Sequence, residues 1–362
     1  TYFNFQNEFS DSFKSLKNLN FHEKYSRQLH HVREEQTLNL LFKKAKVEDL
    51  LFTEINNLEN KKNIVLFQGD SWMQDISFGK KDDLVFLDTM KKIGEEKKIG
   101  FVNGAIASYS PSLMNLQIDV LEKDFNIFPN IVVAYINQTD IGDEICRYKK
   151  NKIYQNNNLI SVYPETDFMG KGWFNYSQNY ILSKIYLSNK SKIVKTFQLI
   201  NFKYKYSISR SSKRFYRKYI SNTPEDKIRL KKCYWDEMEQ YLINPSKSDI
   251  EYFSNTIAKY LDKINKKKHV KKTILISFPT KNHFENSKDG KKYYKFNVSD
   301  LIDKVIQNKN NIKEINFTKI LLNDKEFDHK NIWLDDNVHL KTSIYNNLFL
   351  NKIFNELLLT IN

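Results

Sequence analysis

Apolar positions run through this 362-residue chain in two rhythms, and the rhythm changes near residue 63. From about Ser10 to Glu59, apolar residues recur at three- and four-residue spacing (Leu38, Leu41, Phe42, then Val47, Leu50, Leu51) with no Gly or Pro. That spacing predicts a helical lead-in. From Asn63, short unbroken apolar runs take over, beginning with NIVLFQ and closing on the turn Gly69-Asp70-Ser71. Such runs are what a strand buried on both faces requires. Helix patterns at about Leu84 to Lys97 and Pro111 to Phe125 alternate with strand runs at Ile99 to Val102 and Ile131 to Ile136. Ser110 stands at the expected N-cap of the second helix, with Pro111 at its first position.

After Asp143 the alternation stops, and it resumes near Ser248. A helix at about Ile250 to Lys267, a strand at Lys272 to Pro279, a helix at about Ser299 to Asn308, a last strand around Ile315 to Ile320 and a final helix at about Ser343 to Leu359 complete the pattern. Strands alternating with helices imply a parallel α/β sheet. The expected organisation is a lead-in over 1–60, a core in two parts over 61–145 and 249–362, and a largely helical insertion over 146–248.

Charge sharpens this division. The chain has a formal net charge of +15. Residues Arg147 to Lys232 hold 20 Lys and Arg against four acids, a net of +16, so the remainder sums to −1. All of the basicity belongs to the insertion. Within it, YKYSISRSSKRFYRKY (204–219) interleaves cations with aromatic rings, a pattern that suits sugars, phosphate and carboxylate groups. A/T-rich coding would account for abundant Lys and Tyr, but not for the scarcity of acids here alone. No zinc-finger, RNA-recognition or basic-zipper signature accompanies the charge, which puts an acidic glycan, a lipid-linked glycan phosphate or an anionic membrane surface at 147–232 ahead of nucleic acid.

Composition excludes other classes. With 40% hydrophobic and 14% aromatic residues the chain can bury a core, and no apolar run approaches the roughly 18 residues of a membrane span. Cys146 and Cys233 are too few for a disulfide framework, and they lack the neighbouring ligands of a zinc site. His30, His31, His269 and His329 show no metal-ligand spacing, and no Gly-rich phosphate loop is present. No cofactor is called for. The chain opens on Thr rather than Met, so it reads as a fragment or processed form.

In open parallel sheets the ligand sits at the carboxyl ends of the strands. Ser71 stands at one such junction, where a helix cap is the commoner role for a serine and a nucleophile the rarer one. Before the final helix pattern lies WLDDNVHLKTS, with Asp336 and His339 three residues apart. A serine hydroxyl needs an imidazole to take its proton, and the imidazole needs a carboxylate to fix its tautomer. Asp336 and His339 can supply both, although an Asp and a His three apart are also commonplace in surface loops.

Taken together, these blocks resemble the SGNH, or GDSL, hydrolase superfamily. Its GDS block is Gly69-Asp70-Ser71, and its D-x-x-H-L block is Asp336-Asn337-Val338-His339-Leu340. The N-x-G-x-x-G-Y-S-P block of relatives acting on glycans is approximated by Asn103 to Pro111, and G-x-N-D by Asn137-Gln138-Thr139-Asp140. The resemblance covers roughly 63–143 and 270–360. It implies a three-layer αβα sandwich with a mainly parallel, five-stranded, flavodoxin-like sheet. It further implies a Ser71-His339-Asp336 triad and an acyl-enzyme formed from acylated, particularly acetylated, saccharides of the bacterial cell surface, with a cell-envelope location favoured over a cytoplasmic one.

The departures fall on the oxyanion hole. Ala105 stands where the family has Gly, with Gly104 one residue earlier, and Thr139 stands where it has Asn, with Asn137 and Gln138 in the same loop. Gly104, Ala105, Asn137 and Thr139 are therefore the candidate oxyanion donors, and Asp70, Gln138 and His283 are candidates for substrate binding. Asp75, Asp140 and Asp143 are expected to bond loop backbone or cap helices. A protein of the same fold that binds glycan or membrane without catalysis is the competing reading.

Overall fold

The computed structural model describes residues 21, 24–33, 36, 45–78, 84–163, 191–198, 200, 233, 235–278, 280, 296–307, 309, 311–323, 354–355 and 358–359. The chain divides into two compact units, one formed by 1–50 with 164–233 and the other by 51–163 with 234–362. Neither cysteine is a free thiol.

The second unit is built on a six-stranded sheet. Its elements are β1 (Thr53–Glu54), β2 (Asn63–Gln68), α1 (Ser71–Phe78), α2 (Leu84–Glu96), β3 (Ile99–Asn103), α3 (Pro111–Phe125) and β4 (Ile131–Asn137). A hairpin follows, β5 (Lys152–Gln155) with β6 (Asn158–Val162), then α4 (Trp235–Ile243), α5 (Lys247–Lys266), β7 (Lys272–Phe278), α6 (Val298–Ile306), β8 (Ile312–Asn316) and α7 (Phe317–Asn323). The strand order is β1-β3-β2-β4-β7-β8. Every pairing is parallel except that of β1 with β3. The five parallel strands thus follow the flavodoxin-like order, whose switch point lies between β2 and β4. The expected five-stranded parallel sheet is present, with a two-residue antiparallel edge added.

Alternation along the strands separates two apolar layers. Val65 and Phe67 of β2, Phe101 of β3 and Val133 and Tyr135 of β4 join Trp72, Met73, Met90, Phe278 and Phe317 in one buried cluster. The intervening residues face α3 and α5. There a buried Gln68 donates to Met114 O and to Gln117 Oε1, each at 2.9 Å, and accepts from Tyr260 Oη at 2.8 Å. A strand glutamine is tolerated in that layer because its partners satisfy it.

The helices end where their sequences direct. Pro111 occupies the first position of α3 behind an extended Ser110, and Asn126 closes the helix at φ 57°. Ser246 and Asp249 form a capping box at α5. α5 is tied to α3 by Lys263 with Asp119 and by Lys267 with Glu122 at 2.6 Å.

Two expectations fail locally. The helical pattern drawn to Glu59 gives way, over 45–59, to a short 3₁₀ turn at Glu48–Leu50, the edge strand β1 and turns. There the main chain bonds to β3, with Ile55 N donating to Phe101 O at 2.9 Å. The last strand lies at Ile312–Asn316 rather than 315–320, because Asn316 Oδ1 accepts Lys319 N at 3.0 Å and turns the chain into α7. Among the described residues no helix is long and apolar enough to cross a membrane.

Candidate active site

The first junction is set by Gly69. Its φ is 155°, and a Cβ placed there would lie 2.7 Å from Tyr135 Cβ, so glycine is required both by conformation and by the approach of β4. The turn delivers Ser71 to the first position of α1, half-buried. Asp70 accepts Trp72 N at 3.0 Å through Oδ1, which satisfies a free N–H of the helix start. Gly69→Ala is expected to destabilise the protein by about 2–3 kcal/mol, measured by denaturant unfolding. Unchanged stability would mean that the junction does not need this backbone.

The ends of β3, β2 and β4 are bonded to one another. Gly104 N donates to Phe67 O at 2.8 Å, and Ile106 N donates to Gly69 O at 3.1 Å. Asn103 donates through Nδ2 to Met73 O at 2.8 Å, while its Oδ1 accepts Ala105 N at 2.9 Å. Gln74 of α1 accepts Ala107 N through Oε1 at 2.5 Å. Asn137 Nδ2 donates to Asp70 Oδ2 at 2.5 Å, and its Oδ1 accepts Thr139 N at 2.6 Å and Thr139 Oγ1 at 2.5 Å. The carboxyl edge around Ser71 is therefore preorganised by side-chain amides, those of Asn103, Gln74 and Asn137. Asn103 opens the second sequence block and so was open to notice; Gln74 carried no signal in the sequence.

These bonds distinguish the oxyanion candidates. The N–H groups of Gly104 and Ala105 are held by Phe67 O and Asn103 Oδ1, so a substrate oxygen has to compete for them. Thr139 spends its single hydroxyl proton on Asn137. Asn137 has two amide protons and gives one to Asp70.

Two substrate-binding candidates have structural tasks instead. Gln138 is 1% exposed, donating through Nε2 to Leu242 O at 2.9 Å and to Phe296 O at 3.0 Å and accepting Val298 N at 3.1 Å. Its amide is used up in joining the β4 loop to the ends of α4 and α6. Asp70 is 4% exposed and accepts Trp72 N and Asn137 Nδ2, which fixes the turn against the β4 loop. His283, Asp336 and His339 lie outside the described residues, as do His329 and the side chain of Asp75.

Asp140 and Asp143, expected to bond loop backbone or cap helices, are buried together with Glu144 in a cluster of acids. Asp140 does accept a backbone proton, from Asn137 N at 3.1 Å. Burial, followed by the charges of Asp70 and Asp143, raises its pKa well above the ordinary carboxyl range. Asp143 is pushed up to about 7 by burial, against the opposing pull of Arg147 at 2.9 Å. Glu144 is fully buried and accepts Ser110 Oγ and Ser112 N at 2.7 Å, Ser112 Oγ at 2.9 Å and Lys152 Nζ at 2.7 Å. Arg147 and Tyr148 fasten the loop before α3, donating to Ser108 Oγ at 2.7 Å and to Ser108 O at 2.5 Å. Ser108 has φ 64°, a left-handed conformation that those two bonds hold in place.

No family model and no curated relative matches the chain. Among solved structures, an acetylxylan esterase from Geobacillus stearothermophilus, Axe2, is similar at 12% identity and a TM-score of 0.38, over 82% of this chain and 96% of that one. A psychrotrophic esterase, EstA, from Pseudoalteromonas sp. is similar at 9% identity and a TM-score of 0.35, over 82% of this chain and 99% of that one. At such values the likeness says nothing of substrate, and the chemistry has to be built from this chain's own residues.

Proposed function

We propose that the chain is a serine esterase or O-acyltransferase of SGNH type, acting on O-acylated, chiefly O-acetylated, saccharides of the bacterial cell surface. The observation that carries this reading is Ser71 at the first turn of α1, at the switch point of a flavodoxin-like sheet, with the three adjoining strand ends locked together around it. In this reading Ser71 Oγ attacks the acyl carbonyl while His339 takes its proton. The tetrahedral intermediate collapses, His339 returns the proton to the departing alkoxide, and Asp336 holds the imidazole in the productive tautomer. Water or a sugar hydroxyl then accepts the acyl group from Ser71, and that choice separates hydrolase from transferase.

Developing negative charge on the carbonyl oxygen is met by Ser71 N–H at the positive end of α1 and by the second amide proton of Asn137. Thr139 acts behind Asn137, fixing its Oδ1, and Asp70 fixes its Nδ2. The N–H groups of Ala105 and Gly104 join the hole only where the substrate oxygen displaces Asn103 Oδ1 or Phe67 O. The saccharide assignment rests on the resemblance and on the cationic aromatic segment of 147–232, which also suits an envelope location.

Treatment of the protein with a fluorophosphonate, followed by peptide mass spectrometry, is expected to find one adduct, on Ser71. An unlabelled Ser71 under conditions that label a control serine esterase would favour the non-catalytic binding protein on the same fold.

A further inference from the structure

The segment 191–200 of the first unit carries a short helix whose composition on its two sides differs. Residues 192–198 and 200 are helical. Ser191 starts the helix, with Lys195 N donating to Ser191 O at 3.0 Å, and Thr196 Oγ1 turns back to Lys192 O at 2.9 Å. Ile193, Phe197 and Ile200 are spaced four and three residues apart, which places them on one face, and Val194 borders it. These side chains are 70%, 69%, 57% and 42% exposed, respectively. Lys192 and Lys195 lie off that face.

Three large apolar side chains exposed together on one helix face, with Val194 exposed beside them, are not what a protein surface ordinarily presents. A second fact about the same segment bears on what covers them: this helix lies inside residues 164–232 of the same unit, where 16 Lys and Arg stand against four acids, a net of +12. Apolar side chains that insert, on a background of cations that attract anionic headgroups, are the two requirements of an interfacial amphipathic helix. A soluble acidic glycan would be attracted by the charge but would leave Ile193, Phe197 and Ile200 in water. A second copy of this chain would bring another +12 segment towards the first, against electrostatic repulsion.

We infer that the helical residues 192–198 and 200 dock on an anionic lipid surface, with Ile193, Phe197 and Ile200 entering the boundary between headgroups and acyl chains. The side chains that insert are too few to bind neutral lipid firmly, so the charge of the surrounding segment has to contribute. Binding is accordingly selective for anionic lipid and weakens as salt rises.

Cosedimentation of the full chain with vesicles tests this. Wild type is expected to bind phosphatidylcholine vesicles containing phosphatidylglycerol, to bind pure phosphatidylcholine at least about tenfold more weakly, and to be released by salt. The triple variant Ile193→Ser, Phe197→Ser, Ile200→Ser is expected to lose at least about tenfold in affinity for the anionic vesicles while keeping its thermal transition and its ester turnover. Equal vesicle binding by wild type and triple variant would overturn the proposal, as would no binding of wild type at all. Binding of a soluble acidic polysaccharide in place of vesicles, unaffected by the triple substitution, would overturn it in favour of a glycan. A wild-type dimer that the substitution dissociates, without vesicle binding, would overturn it in favour of a second copy. The readout involves no catalytic step, so it succeeds or fails separately from the esterase assignment.

Discussion

Replacing Ser71 by alanine is expected to lower turnover of p-nitrophenyl acetate by about 10⁴-fold or more, down to what the binding site alone supports. The size follows from covalent catalysis: without Oγ there is no acyl-enzyme, and the remaining oxyanion donors can only assist water. His339→Ala should be nearly as damaging, because an unactivated serine hydroxyl is a weak nucleophile at neutral pH. The double variant should be no worse than either single one, since nucleophile and base act as a unit. In the proposed triad Asp336→Asn should cost less, because it would remove only the partner that orients the imidazole and would leave nucleophile and base intact. Alanine at 71 removes a half-buried hydroxyl from the first turn of α1 and leaves Asp70 capping Trp72, so the fold should persist and the thermal transition should stay put. Turnover by Ser71→Ala equal to that of wild type would refute the esterase. Turnover lost in Ser71→Ala but retained in His339→Ala would refute the triad alone.

How much of this was legible beforehand depended on whether a feature is local. The strands Asn63–Gln68, Ile99–Asn103, Ile131–Asn137 and Lys272–Phe278 are unbroken apolar runs, and such runs have few alternatives to a strand buried on both faces. Gly69 before Ser71 was readable for the same reason, as a glycine that ends a strand is asking for a turn. The edge strand Thr53–Glu54 was not readable, because two residues carry no periodicity and their partners, Asn103 and Val102, lie about fifty residues further on. The boundary at Asn316 was missed because an N-capping Asn inside an apolar stretch looks like a polar interruption of a strand. Gln138 is a related case. A glutamine in a strand-end loop suits a substrate, and only tertiary structure reveals that Leu242, Phe296 and Val298 consume its amide. Four sequence blocks could nominate residues for the edge of the sheet, but which of them face inwards is decided by partners distant in sequence.

The strongest such non-local dependence is at Glu144, where Glu144→Ala is expected to cost about 3–5 kcal/mol of stability, lowering the midpoint of thermal unfolding by roughly 10 °C. Both Glu144 and the Lys152 that donates to it are buried, their side chains 0% and 4% exposed. Removing the carboxylate leaves the ammonium of Lys152 facing Tyr252 Oη at 2.6 Å as its remaining polar partner, and strips Ser110 Oγ, Ser112 N and Ser112 Oγ of their acceptor. Those three donors are the start of α3, and α3 begins where the second sequence block ends. A loosened Ser110 therefore frees the 103–109 loop that Asn103 and Gln74 hold beside Ser71, so turnover should fall along with stability. The charge argument has its own control. Adding Lys152→Met to Glu144→Ala removes the stranded cation and should recover part of the loss, because the penalty lies more in the unpaired buried charge than in the lost attraction. Glu144→Gln, which keeps an acceptor of the same shape, should fall between wild type and alanine. If Glu144→Ala unfolds at the wild-type midpoint, the carboxylate is no strut. If the added Lys152→Met only deepens the loss, the cost resides in the hydrogen bonds to α3 and not in the stranded lysine.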